Sequence, residues 1–444
     1  MARKQNIFES IKSAYGDMLQ ESLGKSRITE NRRVFALSRD GANYSAHSDM
    51  LASKSVASGP LHREGQFQQV LRPPYGKSGT NPAQIGNHPD FNHLLNTENT
   101  EYCPITTMFM DMKGSTYLGM LHDPHIVFHI KNTFLSVAIE IVKAFDGHVH
   151  RLQGDAVMAY FGGKNRKPEE GVIDALNCVS TLMQIVKRSV IPSLNDQYPD
   201  TPLGIRIGLD HGGLDAVLWG CYGHKNMCEV TATSLYVDLA AKLQQSAGAN
   251  EIMLGETLRA QLDLHDELLS DRQYVLPNYP KRNGEKMNYR QFCLRDDDFF
   301  WISPLVPQTG SVFPSAASAL SPLKISATQH HRLHAEALGD VFSCGTLVPK
   351  ERSLAFRLTP PGDVQFPCTV KFRVENHGGQ ALRQAGAGRD SHRSMEKTVY
   401  NFDELASLPP NWETTRYRGL HYLIAEIHRG SVVTHRGVFG VYVE

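Results

Sequence analysis

Two acidic positions carry the chemistry available to this chain. Ile105–Thr116, ITTMFMDMKGST, is a β-branched and apolar run that stops at Asp111, then opens a helical pattern through Lys-Gly-Ser-Thr. Arg151–Gly163, RLQGDAVMAYFGG, is a short run, a Gly-Asp turn carrying Asp155, and a second apolar run. A strand ending in Asp111 and a hairpin whose turn holds Asp155 can set two carboxylates side by side in one cleft. Such hard oxygen ligands suit Mg²⁺ or Mn²⁺. Gly114, Ser115 and Thr116 begin the helix between them, and the free N–H groups and positive dipole end there suit a phosphate chain. Taken singly, Asp111 reads as a helix N-cap and Asp155 as a turn residue. Taken together they read as a site for metal and triphosphate.

The elements that must position these acids follow from periodicity. Strand Ile105–Asp111 leads to a helix with Ile126, Ile130, Phe134, Val137 and Ile141 on one face; beyond the hairpin a helix runs over Glu169–Lys187. Leu203–Leu209, LGIRIGL, reads as a buried strand, TATSLYVDLAAKLQQSA as a strand end into a helix, NEIMLGETLRAQL as strand then helix, and MNYRQFCL as a closing strand. This order predicts an α+β domain over residues 100–298, an α/β sandwich with helices on a sheet. Ahead of it, residues 1–99 hold an amphipathic helix marked by Ile7, Ile11, Tyr15, Met18 and Leu19 and extended by Leu23. A polar stretch follows that reads as loop or linker, partly ordered around IGNHPDFNHLL, with His88 and His93 solvated. A Pro- and Ser-rich linker covers 299–325. In 326–444, CTVKFRVEN, GLHYLIAEIHR and GVFGVYVE alternate with period two and predict a small all-β sandwich. His330–His334, HHRLH, has ligand-like spacing for a helix, against which stands the ordinary reading of solvated imidazoles.

Lys+Arg and Asp+Glu both number 46 in 444 residues, so no global field points to nucleic acid or an anionic membrane. Seven scattered cysteines without Cys-x-x-Cys argue against a secreted disulfide framework. No apolar run approaches the roughly 20 residues of a membrane helix, and MARKQNIFESIK lacks a signal-peptide core. The expectation is a cytoplasmic chain without stable membrane association.

Asp111 followed by MKGST, the hairpin QGDAVMAYFG, the strand GIRIGLDHG and the segment VDLAAKLQQSAGANEIMLGETL resemble, in order, the landmarks of a class III nucleotidyl cyclase catalytic domain, of ferredoxin-like fold. The resemblance implies two divalent cations, Mn²⁺ or Mg²⁺, on Asp111, Asp155 and the Met112 carbonyl. It also implies a head-to-tail homodimer in which a later helix completes the partner's site. VKFRVENHGGQALRQ and WETTRYRGLHYLIAEI resemble the sensor domain behind antiphage nucleotidyl cyclases. Together the halves are similar to the Pycsar pyrimidine cyclases, which implies a cyclic pyrimidine messenger and a separate downstream effector.

The chain departs from the family pattern at informative places. The family's Asn and Arg are Asp238 and Lys242 here. Lys242 keeps a cation for the transition-state phosphate without the guanidinium fork; Asp238 could orient the ribose, mark a degenerate binding site, or simply pair with Lys242 at i,i+4. At the base-selecting columns stand Arg151 and Thr231, which fit neither purine pattern. Alternation along the strand puts Arg151, Gln153 and Asp155 on one face, so Arg151 points toward the metal acid; the alternative is that it swings out and pairs with a surface acid. Arg151 donates only and Thr231 does both, and without an acid to accept the cytosine amino group UTP is preferred over CTP. Ser115 replaces the usual Phe beside the base. Lys281, Arg282 and Lys286 precede the closing strand, where a triphosphate-binding Lys or a solvated loop would sit.

Overall fold

The computed structural model describes residues 7–21, 65–199, 201, 203–272, 279–280, 283–305, 320–385 and 391–444. Leu23, residues 39–64, Lys281, Arg282 and the linker segment 306–319 lie outside them. The first helix, α1 (residues 7–21), buries Phe8, Ile11, Tyr15 and Leu19 in the main core, as its stripe predicts. Residues 65–99 are not the loose linker that their polarity implies. Phe67, Leu71 and Tyr75 are buried, and the Arg72 guanidinium donates to the carbonyls of Lys143 and Ala144 and to Asp146 Oδ1. His88 is likewise buried rather than solvated, beside Phe91, His148 and Trp219; His93 stays exposed and meets Glu101.

The α+β region then runs β1 (Ile105–Lys113), α2 (Ser115–Leu121), α3 (Pro124–Ala144), β2 (His148–Gln153), β3 (Ala156–Phe161), α4 (Pro168–Ile185) and β4 (Gly204–Gly212). It continues with β5 (Leu218–His224), β6 (Met227–Thr233), α5 (Leu235–Ser246), β7 (Glu251–Gly255), α6 (Glu256–Gln261), β8 (Leu269–Asp271), β9 (Gln291–Leu294) and α7 (Asp296–Trp301). Seven strands form one sheet in the order β2-β3-β1-β4-β7-β9-β8. Only β4 and β7 pair in parallel. Alternation sorts the residues of β1 into two cores: Met108, Met110 and Met112 pack with Ile130, Phe134 and Leu176 of α3 and α4, while Ile105 and Phe109 pack with Tyr160, Trp219 and Val230. Asp111 belongs to the second face. Helix α3 has the length and hydropathy to cross a membrane, and it buries Ile130, Phe134, Val137 and Ile141 inside the protein.

In the C-terminal region come β10 (Lys324–His330), β11 (Ala337–Val341), β12 (Ser353–Thr359), β13 (Cys368–Glu375), β14 (Ser391–Val399), β15 (Asn411–Thr414), β16 (Gly419–Arg429) and β17 (Val432–Val443). One sheet runs β11-β10-β12-β15; the other runs β17-β16-β13-β14, with Ser321–Pro322 and Leu347–Val348 added along β17. The fold class is therefore the expected α+β domain followed by β-sheets. His330 is the last residue of β10, so HHRLH lies on no helix. Its histidines at 330 and 334 flank Trp412, and His330 bonds the Ala335 carbonyl. Cys221 and Cys228 form a disulfide across the β5–β6 ribbon, a pairing that the scattered cysteines did not announce. The core around α4 continues into the C-terminal sheet through Cys344, Leu420, Tyr422, Ile424 and Tyr442.

Candidate active site

Asp111 lies opposite Arg206 across β1 and β4, and that pairing decides its surroundings. Arg206 Nε and Nη2 donate to the same carboxylate oxygen, Oδ2, at 2.9 and 2.6 Å, and Gln244 Nε2 reaches it from α5 at 3.5 Å. Asp155 follows Gly154, whose φ of +65° makes the tight turn between β2 and β3. Its Oδ1 lies 3.9 Å from Lys131 Nζ on α3, and its Oδ2 is buried with no hydrogen-bond partner. A buried carboxylate oxygen left unpaired is costly unless a cation or water meets it. Arg206 beside Asp111 and Lys131 near Asp155 each offset the charge of their acid. The donor set thus fits hard divalent cations: Asp155 offers an orphaned oxygen, and Asp111 keeps Oδ1 clear of its guanidinium.

Register places the rest. Arg151, Met158 and Phe109 form one cross-strand row; Gln153 pairs with Ala156, and Asp111 lies two residues beyond Phe109 on the same face of β1. Arg151 therefore points to the acid face, as alternation predicts, although a bulge at His150 interrupts the strand. Its guanidinium pairs through Nη2 with Glu229 Oε1 on β6, an ion pair with an exposed acid, as the alternative reading of Arg151 has it. Thr231, two residues on and hence on the same face of β6, is buried, with its Oγ1 3.3 Å from Tyr160 Oη. Sequence reasoning missed Glu229, Arg206, Gln244 and Lys131. The period-two relation of Glu229 to Thr231, and a lone Arg inside the apolar strand GIRIGL, were the available signals.

Gly114, at φ +91°, caps α2 and starts it through Ser115 and Thr116, where the first N–H groups of a helix have no internal partner. Between α2, α3 and the Gly154 turn opens a cavity of about 420 Å³, lined by His122, Phe128, Lys131 and Asn132. Asp238 and Lys242 are not brought to these groups. Helix α5 buries Val237, Leu239, Ala240, Leu243 and Gln244 and leaves Asp238 and Lys242 exposed on its outer face. Among the described residues the two do not pair with each other, so the simple i,i+4 ion pair is absent. Met112 is buried, with its backbone in register with Ile205. Lys286 is exposed.

Residues 97–286 match the family described as adenylate and guanylate cyclase catalytic domain, and residues 307–444 the adenylyl/guanylyl and SMODS C-terminal sensor domain. A cytidylate cyclase of Escherichia coli is 32% identical, covering 98% of this chain and 94% of that protein. One of Staphylococcus aureus is 29% identical over 84% of this chain and 87% of its own length. The crystal structure of the adenylyl cyclase CyaB from P. aeruginosa aligns with 45% of this chain and 98% of its own, at 20% identity and a TM-score of 0.38. Class III cyclases of this kind use two divalent metal ions. The chain belongs to the class III nucleotidyl cyclases with a C-terminal sensor domain, in the family of the Pycsar pyrimidine cyclases.

Proposed function

We propose that the chain converts CTP to 3′,5′-cyclic CMP and pyrophosphate, as a homodimer with shared sites. The observation that carries this reading is the Arg151–Glu229 pair on the acid face. The preference for UTP rests on a missing carboxylate acceptor, and Glu229 supplies one. Its carboxylate can accept from the cytosine amino group while Arg151 donates to the ring carbonyl. The cytidylate cyclases among the relatives support the same base. Uridylate synthesis is the second reading, favoured by the donor-only character of Arg151 and the neutral Thr231.

Asp111, Asp155 and the Met112 carbonyl would hold the divalent ions, Mg²⁺ or Mn²⁺, which when bound supply acidity to the ribose 3′-OH and charge for the triphosphate. The chain's own part is positioning. The opening N–H groups of α2 at Gly114, Ser115 and Thr116 orient phosphate oxygens. Arg206 and Gln244 fix the Asp111 carboxylate. The 3′-oxygen attacks the α-phosphorus, its proton passes to solvent water, and pyrophosphate leaves with the electrons of the broken phosphorus–oxygen bond. Lys242 from the second copy meets the charge on the α-phosphate, and Asp238 orients the ribose. Their outward placement on α5 supports that second copy. So do Tyr117, Met120, Leu121 and Phe128, exposed apolar side chains clustered on α2 and α3. The product would act in the cytoplasm on a separate effector.

Incubation with each of the four nucleoside triphosphates and Mn²⁺, with mass identification of product, tests the reading. Cyclic CMP is expected. Cyclic UMP selects the second reading, a cyclic purine overturns both, and no product favours a degenerate nucleotide-binding sensor, consistent with Asp238.

A further inference from the structure

Two cysteines differ from the rest in exposure. Cys103, Cys178, Cys293, Cys344 and Cys368 are buried thiols, whereas Cys221 and Cys228 are half-buried and joined across the β5–β6 ribbon. In a reducing compartment such as the cytoplasm, an accessible disulfide is one that is made and broken in use. Register sets what this one touches. Cys221 lies opposite Val230 and Cys228 opposite Gly223, so the bridge runs diagonally across the ribbon and closes residues 221–228 into a ring. Gly223, at φ +118°, permits that closeness, because a Cβ there would overlap the Met227 carbonyl oxygen. Alternation puts both cysteines and Val230 on one face of the ribbon and Tyr222, Glu229, Thr231 and Thr233 on the other, where the Tyr222 hydroxyl meets Thr233 Oγ1. The link therefore backs the surface that carries Glu229 and Thr231, and Cys228 is the chain neighbour of Glu229.

The reduced state has a partner already in place. Asn96 Oδ1 lies 3.2 Å from Cys228 Sγ and accepts from the Asn226 N–H at 2.7 Å. A disulfide sulfur carries no proton, so the first of these contacts is a hydrogen bond only when Cys228 is a thiol. The same segment holds β6 through Asn87 Oδ1, which accepts from the Val230 N–H. Oxidised, the ribbon is tied to itself at its turn; reduced, Cys228 exchanges that tie for one to Asn96.

We propose that Cys221 and Cys228 form a reversible thiol–disulfide switch, which sets how firmly the ribbon holds Glu229 and Thr231 and so how strictly the base is read. The effect on base choice rests on the cyclase reading; the redox change and the stiffening of the ribbon do not. Hydrogen peroxide is the oxidant. One thiolate takes an oxygen from it to give a sulfenic acid, and the second thiol displaces that oxygen, so two thiols and one peroxide give one disulfide and two waters. Glutathione reverses the change: two of its thiols become glutathione disulfide as the protein bond is reduced to two thiols. The test uses the full chain, incubated with glutathione or with hydrogen peroxide. Thiol alkylation with peptide mass spectrometry identifies the bond, hydrogen exchange reports on the ribbon, and competing turnover of CTP and UTP reports on selectivity. The link is expected to be lost in glutathione and regained in peroxide. Ribbon amides should exchange about tenfold more slowly when it is present, and the ratio of CTP to UTP turnover should rise by about three- to tenfold. Cys221→Ser and Cys228→Ser should hold the reduced values under both conditions; Ser at 228 keeps a donor for Asn96, so that ribbon stays in place. A link that glutathione leaves intact is structural and would overturn the proposal, as would no link in peroxide, equal exchange in the two states, or altered exchange with an unchanged ratio. If neither state yields a cyclic nucleotide, the cyclase reading fails, and the bond and exchange measurements still decide the switch.

Discussion

At the scale of single residues, the site is a set of charges balanced in advance. Removing either carboxylate should leave the cations of Arg206 and Lys131 without their acids; Asp111→Ala and Asp155→Ala are each expected to lower cyclic-nucleotide formation by about a thousandfold or more, measured by product mass. Glu229→Gln keeps the size but loses the charge-assisted acceptor. The ratio of CTP to UTP turnover should fall by about ten- to a hundredfold, and an unchanged ratio would remove Glu229 from base selection. Asp210 gives a pH signature. It is fully buried on β4, with Thr257, Tyr289 and the His211 N–H as donors, and burial pushes its carboxyl up to about 7. The folded chain keeps that proton while the unfolded chain releases it in the ordinary carboxylate range. Its contribution to stability therefore falls as pH rises toward 7, by roughly 1.4 kcal/mol per pH unit. Asp210→Asn should flatten that part of a denaturation-versus-pH curve.

At the scale of elements, Asp111 and Asp155 were legible because a strand stopped by an acid and a Gly-Asp hairpin are local patterns. Glu229 was not, since its partner Arg151 is 78 residues away and only the fold joins β2 to β6. HHRLH misled because spacing at i,i+4 does not specify a helix when the flanking residues, Lys324–His330 and Ala337–Val341, pair as strands. The polar segment at 65–99 hid its order for a related reason: Arg72 is buried and Lys77 half-buried, in ion pairs with Asp146 and Asp174, which hydropathy counts as exposure. A sharper test of the elements is Gly208, where β4 touches α5. A Cβ there would overlap the backbone of Ala240 and Gln244. Gly208→Ala should push α5 outward and carry Gln244 away from Asp111. Loss of about 1–3 kcal/mol of stability in denaturant is expected, together with lowered turnover.

At the scale of the whole molecule, composition separated an α+β region from a β region but did not reveal that they share a core. Leu420 and Tyr442 of the C-terminal sheet are buried in the same cluster as Leu176 and Val179 of α4. Leu420→Ala should cost about 2–5 kcal/mol. Hydrogen exchange is expected to quicken in α4 and β16 alike, whereas a change confined to β16 would mean that the two regions open separately.

The Cys344 carbonyl accepts from Asn177 Nδ2, and Gly345 lies so close to the Tyr75 backbone that a Cβ there would stand 2.7 Å from its carbonyl oxygen. Contacts this close leave no slack for the C-terminal region to pivot as a hinged lever. A stimulus received there would reach the cleft through α4 and the sheet it supports. Transplanting another cyclase's sensor would require recutting this seam as well as joining the chain.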